Sequence, residues 1–243
     1  MPALTELLRN YQEGLERWME QGGDAGWAMV EQEIAWADAL NRAWSPVSHL
    51  NSVADSKSLR EAYNSGLERL TEHENWRQQH PGIFTAYRDM KDSESFRELS
   101  PVQQRIIELE LRDFHLAGVD LPEKEQKTYR ELVMRLSQLG SRFSENVIDA
   151  TQAWTLHFDS TERLDGLPDA ELKLLEGIAG AHGKDGWMVD LSAPCFHAIM
   201  THANDQALRR EVYTAYVTRA SDQGPCAGQW DNMPLIEETL SLR

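Results

Sequence analysis

Residues 120–154 read DLPEKEQKTYRELVMRLSQLGSRFSENVIDATQAW, and their periodicity decides the fold class. Tyr129, Leu132, Val133, Leu136, Leu139, Phe143 and Val147 recur at helical spacing, which lines them along one face of an α-helix. Asp120-Leu121-Pro122-Glu123 supplies the start: a capping acid, a proline in the first turn and Glu three residues on. The helix reaches towards Trp154 and is the longest pattern in the chain. It predicts a central helix against which others pack.

The same periodicity extends to both sides. Leu7, Leu8, Tyr11, Leu15, Trp18 and Met19 mark a first helix, which Gly22-Gly23 is expected to end. A second carries Trp27, Val30, Ile34, Leu40 and Trp44 and is expected to stop near Ser45-Pro46. A third runs from about Ser58 through Tyr63, Leu67 and Leu70. Ser100-Pro101-Val102-Gln103 then opens a helix with Ile107, Leu111 and Phe114, closed at Gly118. Downstream, residues 154–158 and 186–191 alternate at period two and predict a two-stranded ribbon around a helix near 168–180. Ser192-Ala193-Pro194 and Asn204-Asp205 start two further helices. A last one begins near Asn232-Met233-Pro234, and its pattern is still running at Arg243. The expectation is an all-α, multi-helix array with at most a small β-ribbon, residues 1–243 forming a single helical domain.

Composition limits the function. The 243 residues hold 40 Asp and Glu against 24 Lys and Arg, a formal charge of -16. That balance opposes binding to phosphate backbones, so no nucleic-acid partner is expected. No stretch approaches the roughly 18 apolar residues of a membrane span. The N-terminus lacks the pattern of a signal peptide. Cys195 and Cys226 are far apart, which suits unbonded packing residues in a reducing cytoplasm.

Most searches for chemistry close quickly. His73-Glu74-Asn75-Trp76-Arg77 begins like H-E-x-x-H, but Arg77 stands where the second zinc ligand must be. A solvated helix face is the expectation there. His197 and His202 diverge by about 140° around a helix. His49 suits a bond to local backbone, and Cys195 beside His197 is adjacency in sequence, not an arranged nucleophile and base. Residues 180–185 lack the glycine offset and Ser/Thr of a phosphate loop. With 40 acids present, a pair such as Glu145 and Asp149 says nothing about acid–base work.

One segment stands apart. A helix carrying Tyr213, Tyr216 and Arg219 feeds a glycine- and proline-bearing loop that contains Asp222, Asp231 and Asn232. It reads either as a helix end and turn tied by Arg–Asp and Asx hydrogen bonds, or as a loop bordering a peptide cleft. Tyr216, Arg219, Asp222, Asp231 and Asn232 are the candidate residues. None of them is assigned a catalytic or metal-binding role.

At five places the chain resembles a known family: Ser45-Pro46-Val47-Ser48-His49-Leu50-Asn51-Ser52-Val53, Arg112-Asp113-Phe114, Arg135-Leu136-Ser137-Gln138-Leu139-Gly140, Asn146-Val147-Ile148-Asp149-Ala150-Thr151, and Thr218-Arg219-Ala220-Ser221-Asp222-Gln223-Gly224-Pro225. These blocks look like the N-terminal part of the thimet oligopeptidase/neurolysin-like zinc metallopeptidases. The resemblance covers most of the chain. It implies a cytoplasmic endopeptidase that cuts short peptides in a channel between two helical halves. There, zinc is held by the two His of H-E-x-x-H and a downstream Glu, and the motif's own Glu activates the metal-bound water. None of those residues is present here, so the expectation is a fragment without a cofactor of its own. It would form one wall of the channel, partner a C-terminal catalytic domain and be inactive alone. An alternative from another class is a stand-alone helical module that binds peptides or a protein.

Overall fold

The computed structural model describes residues 2–20 and 26–243. The expected stop at Gly22-Gly23 lies outside the described residues. Ten α-helices and one two-stranded sheet are found among them, so the chain is mainly helical, as its periodicity predicts. Two compact units divide it, one up to Gln138 and one from Leu139 to Arg243.

In the first unit, α1 (Pro2–Glu20), α2 (Gly26–Val53), α3 (Lys57–Gln78), α4 (Pro81–Asp92) and α5 (Pro101–Leu116) enclose one core. Leu15, Ile83 and Ile107 are fully buried in it, each contributing about 1.5–3 kcal/mol by leaving water. Gly14 lets α1 approach α2 closely, since a β-carbon there would stand 2.3 Å from the Trp36 ring.

Helix α2 departs from expectation. It does not stop at Ser45-Pro46 but runs through Pro46 to Val53. An interior proline costs about 3 kcal/mol in a helix, so packing must hold the last turns. Trp44 stacks on Tyr63 of α3 at 5.0 Å, and Asn51 is buried one turn beyond the proline. Helix α4 carries no apolar run long enough to stand out in the sequence. It starts at His80, whose Nδ1 accepts from the amides of Gly82 and Ile83, with Pro81 in the first turn.

Helix α5 follows its sequence signals closely. Gln103 N donates to Ser100 Oγ at 3.4 Å, and Ser100 N donates to Gln103 Oε1 at 2.9 Å, closing the capping box. At its far end Val119 N reaches Phe114 O and Gly118 N reaches His115 O, with Gly118 at φ 81°. That is a Schellman stop, which needs the left-handed conformation glycine adopts freely.

The long helix α6 (Glu123–Ala153) begins immediately after Pro122. It is not the central helix expected, since Leu139 alone of its apolar stripe is buried and Phe143 is exposed. Asp120 does not cap it; its carboxylate pairs with His115 instead. The start is secured by Gln126, whose amide donates to Val119 O and Leu121 O, both at 3.0 Å.

The second unit continues with β1 (Thr155–Phe158), α7 (Asp169–Ala181), β2 (Trp187–Asp190), α8 (Ala193–His202), α9 (Gln206–Val217) and α10 (Met233–Ser241). The strands pair antiparallel, Thr155 opposite Asp190 and Phe158 opposite Trp187. A lone pair of short strands is marginal in water. This one is covered by a second core in which Leu175, Val189, Ile199, Leu208 and Val212 are fully buried.

Gly118 and Gly140 make opposite predictions. Gly118→Ala forces an L-residue into the left-handed region, with its β-carbon 2.6 Å from Leu121, and should cost about 1–2 kcal/mol. Gly140 lies inside α6 with open space around it, so Gly140→Ala should add roughly 0.5–1 kcal/mol. Urea unfolding of both variants checks the signs.

Candidate functional site

The Tyr216–Asn232 segment is built in two separate pieces. At the end of α9 the Tyr216 ring stacks on Phe196, with centroids 3.9 Å apart and planes 21° from parallel. The Arg219 guanidinium lies 3.8 Å from the Tyr216 ring centroid, and its Nη1 donates to Tyr216 O at 3.0 Å. A cation over an aromatic face is worth about 0.5–1 kcal/mol at a partly exposed site. Asp222 is exposed, and no Arg219–Asp222 ion pair is made among the described residues.

At the other end the loop is tied down. Asp231 Oδ1 accepts from Met233 N at 2.8 Å, the Asx bond expected at the start of α10. Asn232 is 4 % exposed. Its amide donates to Phe143 O at 3.2 Å, and its Oδ1 accepts from Asn146 Nδ2 at 2.8 Å. Ala220 O accepts from Asn232 N and Ser221 O from Gly228 N, which closes the loop on itself. The structure thus joins Tyr216 to Arg219 and anchors Asp231 and Asn232 into helix starts and α6. Asp222 is left at the surface.

A larger feature occupies the first unit. A cleft of about 750 Å³ opens over Glu33, His73, Arg77 and Glu110. The His73–Arg77 stretch is not the solvated face expected of it. His73 and Arg77 are each 9 % exposed, and Glu33 only 3 %. Arg77 Nε donates to Glu33 Oε1 at 2.5 Å, and Nη2 donates to Glu110 Oε2 at 2.7 Å. Tyr11 and Tyr87 donate their hydroxyls to the two oxygens of Glu33 at 3.1 and 2.5 Å. The reason for the inward turn is Glu33, a carboxylate on the buried stripe of α2 that an isolated look at α3 does not reveal.

Charges in this cluster follow from burial. Desolvation, reinforced by the Glu33 charge, holds both tyrosine hydroxyls well above their ordinary range. Burial alone would weaken Arg77, but Glu33 and Glu110 more than offset it and keep the guanidinium charged. Burial, helped by Arg77, pushes the His73 imidazole down to about 4. The His73 Nε2 atom is buried with no hydrogen-bond partner among the described residues. Elsewhere, burial pushes the Cys195 thiol up to about 12, and Cys195 and Cys226 are both unbonded. A protonated buried thiol is a poor nucleophile.

Sequence reasoning passed over Glu33, Glu110, Tyr11 and Tyr87 as members of a site. One signal was present: Val30, Glu33, Ala37 and Leu40 share a helix stripe, as do Leu70, His73 and Arg77. Opposite charges at two otherwise inward-facing positions can be read as a buried pair.

Comparison with known proteins settles the relationship. The Neurolysin/Thimet oligopeptidase, N-terminal domain, matches residues 4–127. The chain belongs to the neurolysin/thimet oligopeptidase family. It is 43% identical to oligopeptidase A of Escherichia coli and 42% identical to that of Salmonella typhimurium, each over 100% of this chain and 36% of the relative. A probable cytosolic oligopeptidase A of Arabidopsis thaliana is 29% identical over the whole chain and 35% of its own length. The chain therefore spans about a third of the length of the curated relatives it matches. Among the described residues, no three His, Cys, Asp or Glu side chains stand together as a metal-binding group. The zinc implied by the family thus has no holder among them, and Arg77 is already committed to two carboxylates. No helix among the described residues is long and apolar enough to cross a membrane.

Two predictions follow from the buried cluster. Arg77→Met leaves Glu33 buried without its counter-ion and should destabilise by about 3–5 kcal/mol. Adding Glu33→Gln, which removes the charge and keeps one acceptor oxygen while its NH2 can donate to the other tyrosine hydroxyl, should recover at least half of the loss in urea unfolding. The second concerns acid. With His73 near 4 when folded and 6.5 when unfolded, the unfolded chain binds the extra proton between those values. Stability should fall as pH drops from 6.5 to about 4, and His73→Gln should flatten that portion of a stability–pH curve.

Proposed function

We propose that residues 1–243 are the N-terminal helical region of a cytoplasmic, zinc-dependent oligopeptidase that hydrolyses short peptides. The observation that carries this reading is the alignment of the whole chain with 36% of oligopeptidase A at 43% identity. In this reading the region forms one wall of the substrate channel. The metal ligands and the water-activating Glu belong to a C-terminal catalytic domain, which is its principal partner. The Tyr216–Asn232 loop borders the channel, with Arg219 and Asp222 offering charge to a peptide while Asp231 and Asn232 hold the loop in place. Helix α10 leaves Met233, Ile236 and Leu240 exposed, an apolar strip suited to contact with that domain.

By itself the chain lacks the means to activate water and should be silent. Incubation of the pure chain with zinc and a quenched-fluorescent peptide should give no turnover above background. Chelator-sensitive cleavage that copurifies with the chain would contradict the assignment.

A further inference from the structure

The cleft in the first unit has a charge imbalance that its own residues leave standing. Glu33, Glu74 and Glu110 line it against a single guanidinium, Arg77. Both arms of Arg77 are committed, Nε to Glu33 and Nη2 to Glu110. Glu74 accepts only from its neighbour Gln78, at 2.5 Å, and has no cation at ion-pair distance among the described residues. Its side chain stands exposed at the rim of the cleft. Its carboxyl is held above the usual range, first by crowding from the surrounding protein and then by the Glu110 and Glu33 charges, against the opposing pull of Arg77. His73 adds no positive charge at neutral pH, and its buried Nε2 lacks a partner among the described residues. Val30, Ile34, Leu70, Ile106 and Val133 give the same cleft an apolar wall. A volume of about 750 Å³ with one apolar wall and a few convergent polar groups is the usual form of a small-ligand site.

We propose that this cleft binds a small organic cation, a primary ammonium on an apolar body, with its head at Glu74 and Glu110 and its body along the Val30–Ile34–Val133 wall. An anion meets three carboxylates, so it is repelled. A neutral ligand leaves Glu74 without a counter-charge. A metal ion finds no set of three ligating side chains among the described residues. An ammonium supplies both the missing charge and three N–H donors to a cleft rich in acceptors, and close pairing in a partly desolvated cleft is stronger than at an open surface. The assignment uses only residues of the first unit and is independent of the peptidase reading.

The test is calorimetric titration of the 243-residue chain with 2-phenylethylamine and with its neutral counterpart, 2-phenylethanol. The amine should bind saturably, one per chain, and the alcohol about tenfold more weakly. Glu74→Gln, at the rim, should weaken the amine severalfold and leave the alcohol unchanged. Val133→Trp, which fills the wall, should abolish both. Since a charge of -16 attracts any amine loosely, non-saturable uptake that persists in Glu74→Gln would overturn the proposal. So would equal binding of amine and alcohol, or no binding of either, the result expected if the cleft instead receives another segment of a longer polypeptide.

Discussion

A carboxylate can be buried only if something answers its charge, and Glu33 imposes that condition on the first unit. Moving an ion out of water still costs several kcal/mol after relaxation. The answer is assembled from four other helices. Tyr11 comes from α1, Arg77 from α3 and Tyr87 from α4, while Glu110 of α5 takes the second arm of Arg77. Five helices therefore each send one side chain to a common point. Apolar burial supplies most of the stability, but it is non-directional. The charged cluster specifies which turns face inward and in what register.

The second unit solves a different problem with different means. Its hydrophobic core is closed by a short ribbon over α7 and α8. Polar bonds serve there to position a loop: Asn232 and Asn146 meet side chain to side chain, and Asp231 starts α10. Tyr216 sits between that loop and the core, stacked on Phe196 with Arg219 against its ring. Such an arrangement keeps a polar loop ordered.

Legibility in the sequence divided along the range of the interactions. Local signals were read well. The Ser100–Gln103 box, the Gly118 stop, the length of α6 and the two strands of the ribbon all depend on residues within a few positions or on a short alternation. Failures occurred where a distant partner decides the outcome. Pro46 signals a helix end, yet Trp44 against Tyr63 and the burial of Asn51 carry α2 onwards. Asp120 signals a cap, but His115 takes its carboxylate. The stretch from His73 to Arg77 looks solvated until Glu33, 44 residues away, is placed beside it. Family membership was legible because the matching blocks are long and specific. The site was less so, because Tyr216, Arg219, Asp222, Asp231 and Asn232 do not converge on one point.

The most direct test of this account looks at the Arg77–Glu33 pair itself. An arginine Nε–H that donates to a buried carboxylate is shielded from water, whereas exposed guanidinium protons exchange rapidly. In the proton–nitrogen spectrum of the chain, one arginine Nε–H assigned to Arg77 should persist at alkaline pH and vanish in Glu33→Gln. Rapid exchange of the Arg77 Nε–H in the folded wild-type chain would contradict the claim that a buried charge pair organises the first unit.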